Sequence, residues 1–255
     1  MLKWCPYCQH FLGETPDYRN LSITHGVCAA CAPAALSFSE SHLALAESLR
    51  DVQQRLFEAG LSGNLEAAED VIDGAVAARI RAVDILIGII APMLYKIGEG
   101  WKRGAVSVAE EHRFTAFCEG LFESIAARVG LVSDACTAQR GASEVIVINA
   151  PGNTHTLAAR ILSLWLTYKG TPVRLIREWE SHEELLALIR HTEPRLLLVS
   201  MALAEQLPGV VAIAERVAQL PTSKRPRVVV GGYAIKAGLV ATIPGADLVR
   251  DISSL

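Results

Sequence analysis

The sequence lacks any apolar run long enough to cross a membrane as a helix. Its longest run, residues 85–94, spans ten residues and includes Gly88 and Pro92, whereas a membrane-spanning helix needs about 20 residues. The N-terminus also lacks the basic and apolar stretches of a secretion signal, because it opens on Trp4 and Cys5. We therefore expect a cytoplasmic protein that makes no contact with a membrane.

An excess of charge of either sign is also absent. The 255 residues carry a net charge of -3, without a block of basic residues, which argues against a tail for nucleic acid or for an anionic membrane. Glycine-rich phosphate loops are missing as well, since Gly231-Gly232 has no further glycine at the dinucleotide spacing. The length predicts two domains of ordinary size and one short additional segment.

Cysteine is scarce except at the N-terminus, where two C-x2-C pairs occur. Cys5 and Cys8 form the first pair, and Cys28 and Cys31 form the second, with 19 residues between the pairs. Two such pairs can close a tetrahedral site of four thiolates, and in a cytosolic protein this pattern favours a metal over disulfides. We predict a structural zinc site in a module over residues 1–38, with an iron–sulfur cluster or a redox disulfide as alternatives. The pattern resembles the short cysteine modules found beside bacterial signalling domains.

Residues 39–132 have the apolar spacing of a helical bundle. Asn64 is a good N-cap, Ser107 with Glu110 forms a capping box, and Pro92 should bend or restart a helix. Cys118 falls in the middle of a helix and is expected in the core. We predict four helices joined by short loops, over residues 41–60, from residue 64, over 82–100 and over 107–129.

Apolar strands alternate with helices after a polar linker at residues 133–143. This order predicts a doubly wound parallel sheet of the flavodoxin-like kind over residues 143–255. The expected fold class is therefore α/β plus all-α, with a four-helix bundle, a Rossmann-like domain and a small metal module. The predicted strands cover residues 144–150, 172–176, 195–200 and 227–230, and the predicted helices cover 155–169, 182–190 and 208–219.

A histidine follows the first predicted strand of this sheet. Ligands of open α/β sheets bind outside the carboxyl ends of the strands, so His155 is placed to meet one, although it could equally cap the next helix. The loop resembles the D-x-H-x-x-G motif of cobalamin-binding domains, in which the histidine is the lower ligand of cobalt. Asn153 stands in place of the aspartate, and Ala158 in place of the last glycine.

Two further residue groups extend this resemblance over residues 144–251. Ser200 ends the third strand, as the serine of the family's S-x-L motif does, although Ala202 replaces the leucine. Gly231 and Gly232 end the fourth strand, as the family's glycine pair does, and should leave room for the nucleotide tail of cobalamin. The resemblance implies that all these residues bind cobalamin.

The predicted bundle contains Trp101, then nine residues, then Glu111-His112. Such residues could simply be a helix-end aromatic and a solvated pair. They resemble the light-sensing cobalamin photoreceptors of the CarH type, in which the tryptophan and the Glu-His pair line the pocket of the 5′-deoxyadenosyl group. One departure is Lys102, which stands where that family has a second histidine able to capture cobalt after light.

The resemblance implies a light sensor, not an enzyme, that holds adenosylcobalamin between the bundle and the sheet. Light would break the cobalt–carbon bond, and a transcription factor, another signalling protein or a homo-oligomer interface would respond. The first 36 residues have no net charge and contain no helix-turn-helix, so direct binding of nucleic acid is not expected. Stand-alone regulators of the AerR type are the nearer analogy. The alternatives are a corrinoid protein that carries methyl groups between methyltransferases and a redox sensor that uses the cysteine module.

Overall fold

The computed structural model describes residues 1–34, 40–131 and 144–254. The chain divides into two compact units, Met1–Gly130 and Leu131–Leu255. The predicted linker at 133–143 lies outside the described residues. The cysteine segment and the helices share the first unit, and their division near residue 38 remains a prediction.

A small sheet opens the first unit. Strand β1 pairs with β2 antiparallel and with β3 parallel. Each strand buries at least one large apolar side chain, so the segment that carries the cysteines also contributes to an apolar core. The strands are β1 (Leu2–Trp4), β2 (Phe11–Glu14) and β3 (Ile23–His25), and the buried side chains are Leu2, Trp4, Phe11 and Ile23.

Helices form the rest of the first unit, largely as the sequence predicts. The Asn64 side chain accepts a hydrogen bond from the Ala67 N–H, and Ser107 forms the predicted capping box with Glu110. Cys118 is fully buried, as expected for a core residue. The helices are α1 (Glu40–Ser62), α2 (Leu65–Ala77), α3 (Ala82–Ile85), α4 (Ala91–Lys102) and α5 (Val108–Arg128).

The predicted third helix contains a π turn, Leu86–Ile90, between α3 and α4. In this turn the Ala91 N–H donates to the Leu86 carbonyl, one residue further back than in an α-helix. Pro92 follows immediately, and its ring has no N–H to offer. The α-helical pitch resumes with α4 at Ala91 and Pro92 lies in its first turn, so the helix restarts near Pro92 as the sequence predicts.

The second unit is a five-stranded parallel sheet with helices between the strands. The strand order β5-β4-β6-β7-β8 is the flavodoxin-like order, which confirms the predicted fold class. The strands are β4 (Val145–Asn149), β5 (Val173–Ile176), β6 (Leu196–Ser200), β7 (Arg227–Gly231) and β8 (Asp247–Leu248). The helices are α6 (Leu157–Tyr168), α7 (His182–Thr192), α8 (Leu207–Ala218) and α9 (Tyr233–Lys236).

The apolar core of this unit lies on both faces of the sheet. Ile146 and Ile148 of β4 join a cluster that includes α7 and α8. None of the described residues of α6 belongs to that cluster, and α6 packs against β4 and β5. Because side chains alternate along a strand, Val147 and Asn149 point to the opposite face. Within the described ranges, no helix has the length and apolar character that a bilayer span requires.

Candidate functional site

The carboxyl ends of three adjacent strands place predicted site residues in one row. Asn149 of β4 is the register partner of Ser200 of β6, and Ser200 is the register partner of Gly231 of β7. The backbone continues this pairing beyond the strands, since the Ala150 N–H donates to the Ser200 carbonyl and the Met201 N–H to the Gly231 carbonyl. The edge at which ligands bind in such sheets is thus formed by these residues.

Asn153 fixes the loop between β4 and α6 to the next strand. Its side chain is buried, its Nδ2 donates to the Ser200 carbonyl over 2.9 Å, and its Oδ1 accepts from the His155 backbone N–H over 3.1 Å. His155 itself is exposed in this loop. The structure therefore brings together three predicted residues, with Asn153 holding the backbone of His155 in place.

The glycine pair also has a role in the backbone that the sequence did not predict. Gly232 has a φ of 106°, and a β-carbon on it would lie 2.5 Å from the Met201 carbonyl oxygen. A β-carbon on Gly231 would meet the Val249 carbonyl oxygen at 3.3 Å. A glycine is therefore required at position 232 because the backbone there lies close to that of Met201. This requirement holds with or without a bound ligand.

Two amides at this edge were not predicted from the sequence. Gln206 is buried, and its Oε1 accepts from the N–H groups of Ala202 (2.9 Å) and Leu203 (3.1 Å). In the described part of the chain, the buried Gln206 Nε2 and Asn149 Oδ1 have no hydrogen-bond partner. Unpaired buried polar atoms are rare in folded proteins, and a polar ligand at this edge would give these two amides hydrogen-bond partners. Asn149 could have been found because it is the polar residue that ends the apolar strand β4, whereas Gln206 has no such signal.

The predicted residues of the bundle lie on either side of the α4–α5 connection. Trp101 is 46% exposed near the end of α4, and its carbonyl accepts from the Gly104 N–H. Glu111 and His112 lie in the first turns of α5. The Glu111 side chain is 17% exposed, its Oε1 accepts from Thr115 Oγ1 over 2.9 Å, and its Oε2 is 3.6 Å from His112 Nε2. Glu111 is thus held in position, whereas the His112 side chain is 74% exposed.

The four N-terminal cysteines form one cluster. Because β1 and β3 are parallel, the pair after β1 and the pair after β3 leave the sheet at the same end. All four sulfurs of Cys5, Cys8, Cys28 and Cys31 lie within 4.8 Å of one another, and the Cys8 and Cys28 sulfurs are 3.7 Å apart. A tetrahedral zinc with Zn–S bonds of about 2.3 Å requires sulfurs about 3.8 Å apart. The donor set and spacing fit a metal-binding site that could hold zinc.

The thiols of this cluster have different pKa values. Burial alone would raise the pKa of the Cys5 thiol. Hydrogen bonds from backbone N–H groups outweigh burial and lower this pKa to about 7, and the bond from the Cys28 N–H is the largest of these. Burial raises the pKa of Cys8 above the ordinary range, and a hydrogen bond with Cys28 raises that of Cys31. A divalent cation would have to displace the remaining protons, so metal binding here releases protons.

Comparisons with known proteins support cobalamin binding. Residues 52–125, from within α1 to within α5, match the family model described as the B12 binding domain. The structure is similar to that of the monomethylamine corrinoid protein of Methanosarcina barkeri, with a TM-score of 0.64 and 15% identity, covering 80% of this chain and 94% of that one. At this identity the likeness shows a shared fold.

Two further solved structures match with lower scores. A cobalamin-binding protein of Desulfitobacterium hafniense is 13% identical, with a TM-score of 0.40, covering 79% of this chain and 93% of that one. The methanol:cobalamin methyltransferase complex of Methanosarcina barkeri is 13% identical, with a TM-score of 0.37, covering 83% and 81%. No curated protein matches this chain.

Proposed function

We propose that this chain is a non-catalytic cobalamin-binding sensor in which His155 is the lower ligand of cobalt. The observation that carries the proposal is the Asn153 clamp, which holds the His155 backbone at the carboxyl edge of the sheet. Asn149 and Gln206 support it, because their unpaired amide atoms suit a ligand rich in amide groups. Ser200, Gly231 and Gly232 complete the proposed α/β part of the site.

We further propose that the preferred form is adenosylcobalamin. Trp101 offers an exposed indole, and a flat, polarisable adenine can pack on such a surface. Glu111 and His112 add an acceptor and a ring nitrogen for the polar groups of the nucleoside. Light breaks the cobalt–carbon bond of adenosylcobalamin, so the presence of the adenosyl group at Trp101 would depend on light. A transcription factor, another signalling protein or a second copy of the chain would respond to that change.

A methyl-carrying corrinoid protein is the alternative. It is favoured by the fold that this chain shares with the monomethylamine corrinoid protein of Methanosarcina barkeri. The argument against it is Trp101: the CarH-type photoreceptors that this part of the sequence resembles have a tryptophan in the adenosyl pocket, and a bulky indole above cobalt would hinder a methyl acceptor. The two functions differ in ligand preference, since a carrier has no use for the adenosyl group.

A visible spectrum before and after green light tests the proposed function. Protein loaded with adenosylcobalamin in darkness should change its spectrum on illumination, and its affinity for the adenosyl form should exceed that for methylcobalamin. Equal affinities, or a loaded protein whose spectrum does not change on illumination, would contradict the sensor and favour the carrier. Failure to bind any cobalamin would end both proposals.

A further inference from the structure

The cysteine module shares its core with the π turn, Leu86–Ile90, which belongs to the same unit. The rings of Trp4 and Phe11 lie 5.3 Å apart, and both reach Gly88 in the middle of the turn. A β-carbon on Gly88 would lie 2.5 Å from Cζ2 of Trp4 and 2.6 Å from Cδ2 of Phe11. The two aromatic side chains therefore rest directly on the helix backbone, with no room between them and the turn.

A buried carboxylate makes a second connection at the same place. Asp84 is 1% exposed, and its Oδ2 accepts a hydrogen bond from the Phe11 backbone N–H over 3.1 Å. The same oxygen accepts from the Arg81 guanidinium at 2.8 Å and 2.5 Å. Because a buried carboxylate that loses partners is costly, undocking of Phe11 would disturb α3.

Both connections start at residues beside the sulfur ligands. Trp4 immediately precedes Cys5, and Phe11 is three residues after Cys8. The backbone between them is closed by a hydrogen bond from the Cys5 N–H to the His10 carbonyl. The position of Trp4 and Phe11 on Gly88 therefore depends on the fold of the first cysteine pair.

We propose that the four-cysteine site regulates the helices of the first unit. With its metal bound, the site holds Trp4 and Phe11 on Gly88 and thereby keeps the π turn in place. Loss of the metal unfolds the first cysteine pair, removes both rings from Gly88 and lets the α3–α4 helix rearrange. Because Trp101 lies at the end of the same helix, cobalamin binding then weakens. This last step rests on the proposed function, whereas the coupling of module and helix does not.

Hydrogen exchange of the full chain without cobalamin tests the coupling. Removing the metal with a chelator should speed exchange of the amides of residues 84–91 by about tenfold or more, whereas amides of the α/β sheet should not change. Zinc added back should restore the slow exchange. Unchanged exchange at 84–91 after complete metal removal, checked by elemental analysis, would overturn the proposal.

Gly88→Ala separates the contact from the metal site. This substitution should speed exchange at 84–91 with the metal still bound, and chelation should then add little, because the contact is already lost. Gly74→Ala in α2 is the matched control, since a β-carbon there meets nothing within 4 Å. A Gly88→Ala protein that exchanges slowly and still responds to chelation like the parent would contradict the role of this contact.

Cobalamin affinity tests the regulatory step. The dissociation constant for adenosylcobalamin should rise about tenfold when the metal is removed, and Gly88→Ala should raise it with the metal present. Equal affinities with and without metal, despite faster exchange at 84–91, would overturn the regulation and leave the coupling. Absence of cobalamin binding in every state would instead refute the proposed function, and the exchange experiment would still decide the coupling.

Discussion

The side-chain amide of Asn153 donates to the backbone carbonyl of Ser200 over 2.9 Å and so ties the first loop of the α/β unit to the neighbouring strand. Its oxygen accepts from the N–H of His155, two residues on. One buried side chain thus links the loop to the sheet and sets the backbone at the proposed cobalt ligand.

Asn153→Ala should destabilise the α/β unit by about 2 kcal/mol, because both hydrogen bonds disappear and the Ser200 carbonyl loses a partner. Asn153→Asp should also destabilise it, since a carboxylate cannot donate to that carbonyl. Denaturant unfolding measures the loss. Thr154→Ala, at an exposed position of the same loop, should stay within about 0.5 kcal/mol of the parent. An Asp variant as stable as the parent would show that the donated hydrogen bond contributes nothing.

Gly232→Ala should destabilise the same unit by about 3 kcal/mol or more, because it adds a clash with Met201 to an unfavourable positive φ. Gly238→Ala is the control for the backbone conformation alone. Gly238 also has a positive φ, but a β-carbon there meets nothing within 4 Å, and about 1 kcal/mol is expected. Similar losses in the two variants would mean that the Met201 contact relaxes.

His155→Ala should leave the corrinoid's own base attached to cobalt or lower the affinity for cobalamin. The measurement is electron paramagnetic resonance of the Co(II) form in protein labelled with 15N-histidine. Nitrogen hyperfine splitting should change with the label in the parent and not in the variant. His191→Ala in α7 should behave like the parent. If the nitrogen hyperfine splitting of the parent does not change with the 15N label, His155 is not the ligand.

Local signals predicted most of the fold, because their causes lie within a few residues. Asn64 and Ser107 start helices by accepting hydrogen bonds from the first turn, and apolar runs mark β4 to β7. The short strand β8 has no such pattern. It is held by parallel backbone pairing with β7, and the Val249 N–H donates to the Val230 carbonyl over 2.9 Å, so its partner lies far away in the sequence.

The unpredicted parts of the site also depend on contacts distant in sequence. Phe11 and Asp84 meet across 73 positions, so nothing near either residue indicates the docking of the cysteine module on the π turn. The proposed site residues Asn153 and His155 could be selected because they follow a recognisable strand, and Ser200 because it ends one. Gln206 could not, because its role arises from the fold of the loop after β6.

Cys118 should make stability fall at alkaline pH. Burial raises its pKa above the ordinary value of 9.0, so the native state keeps the proton that the unfolded state loses above pH 9. The free energy of unfolding should therefore fall by about 1.4 kcal/mol per pH unit from this group above pH 9, with no contribution below it. Denaturant unfolding of the parent and of Cys118→Ala between pH 8 and 11 measures the difference. A constant difference over that range would show that folding does not shift the pKa of Cys118.

The state after light should contain no protein ligand on the upper side of cobalt. Lys102, which follows Trp101, is a poor ligand because an ammonium has no lone pair. His112 is the nearest imidazole along the helical segment, but its Nε2 lies 3.6 Å from Glu111 Oε2, so its ring would have to leave that carboxylate to reach cobalt. We therefore expect the illuminated protein to take up added cyanide or imidazole readily, followed by its visible spectrum. His112→Ala should not change the rate of uptake. A photoproduct that resists both ligands, and loses that resistance in His112→Ala, would identify His112 as the upper ligand and refute this expectation.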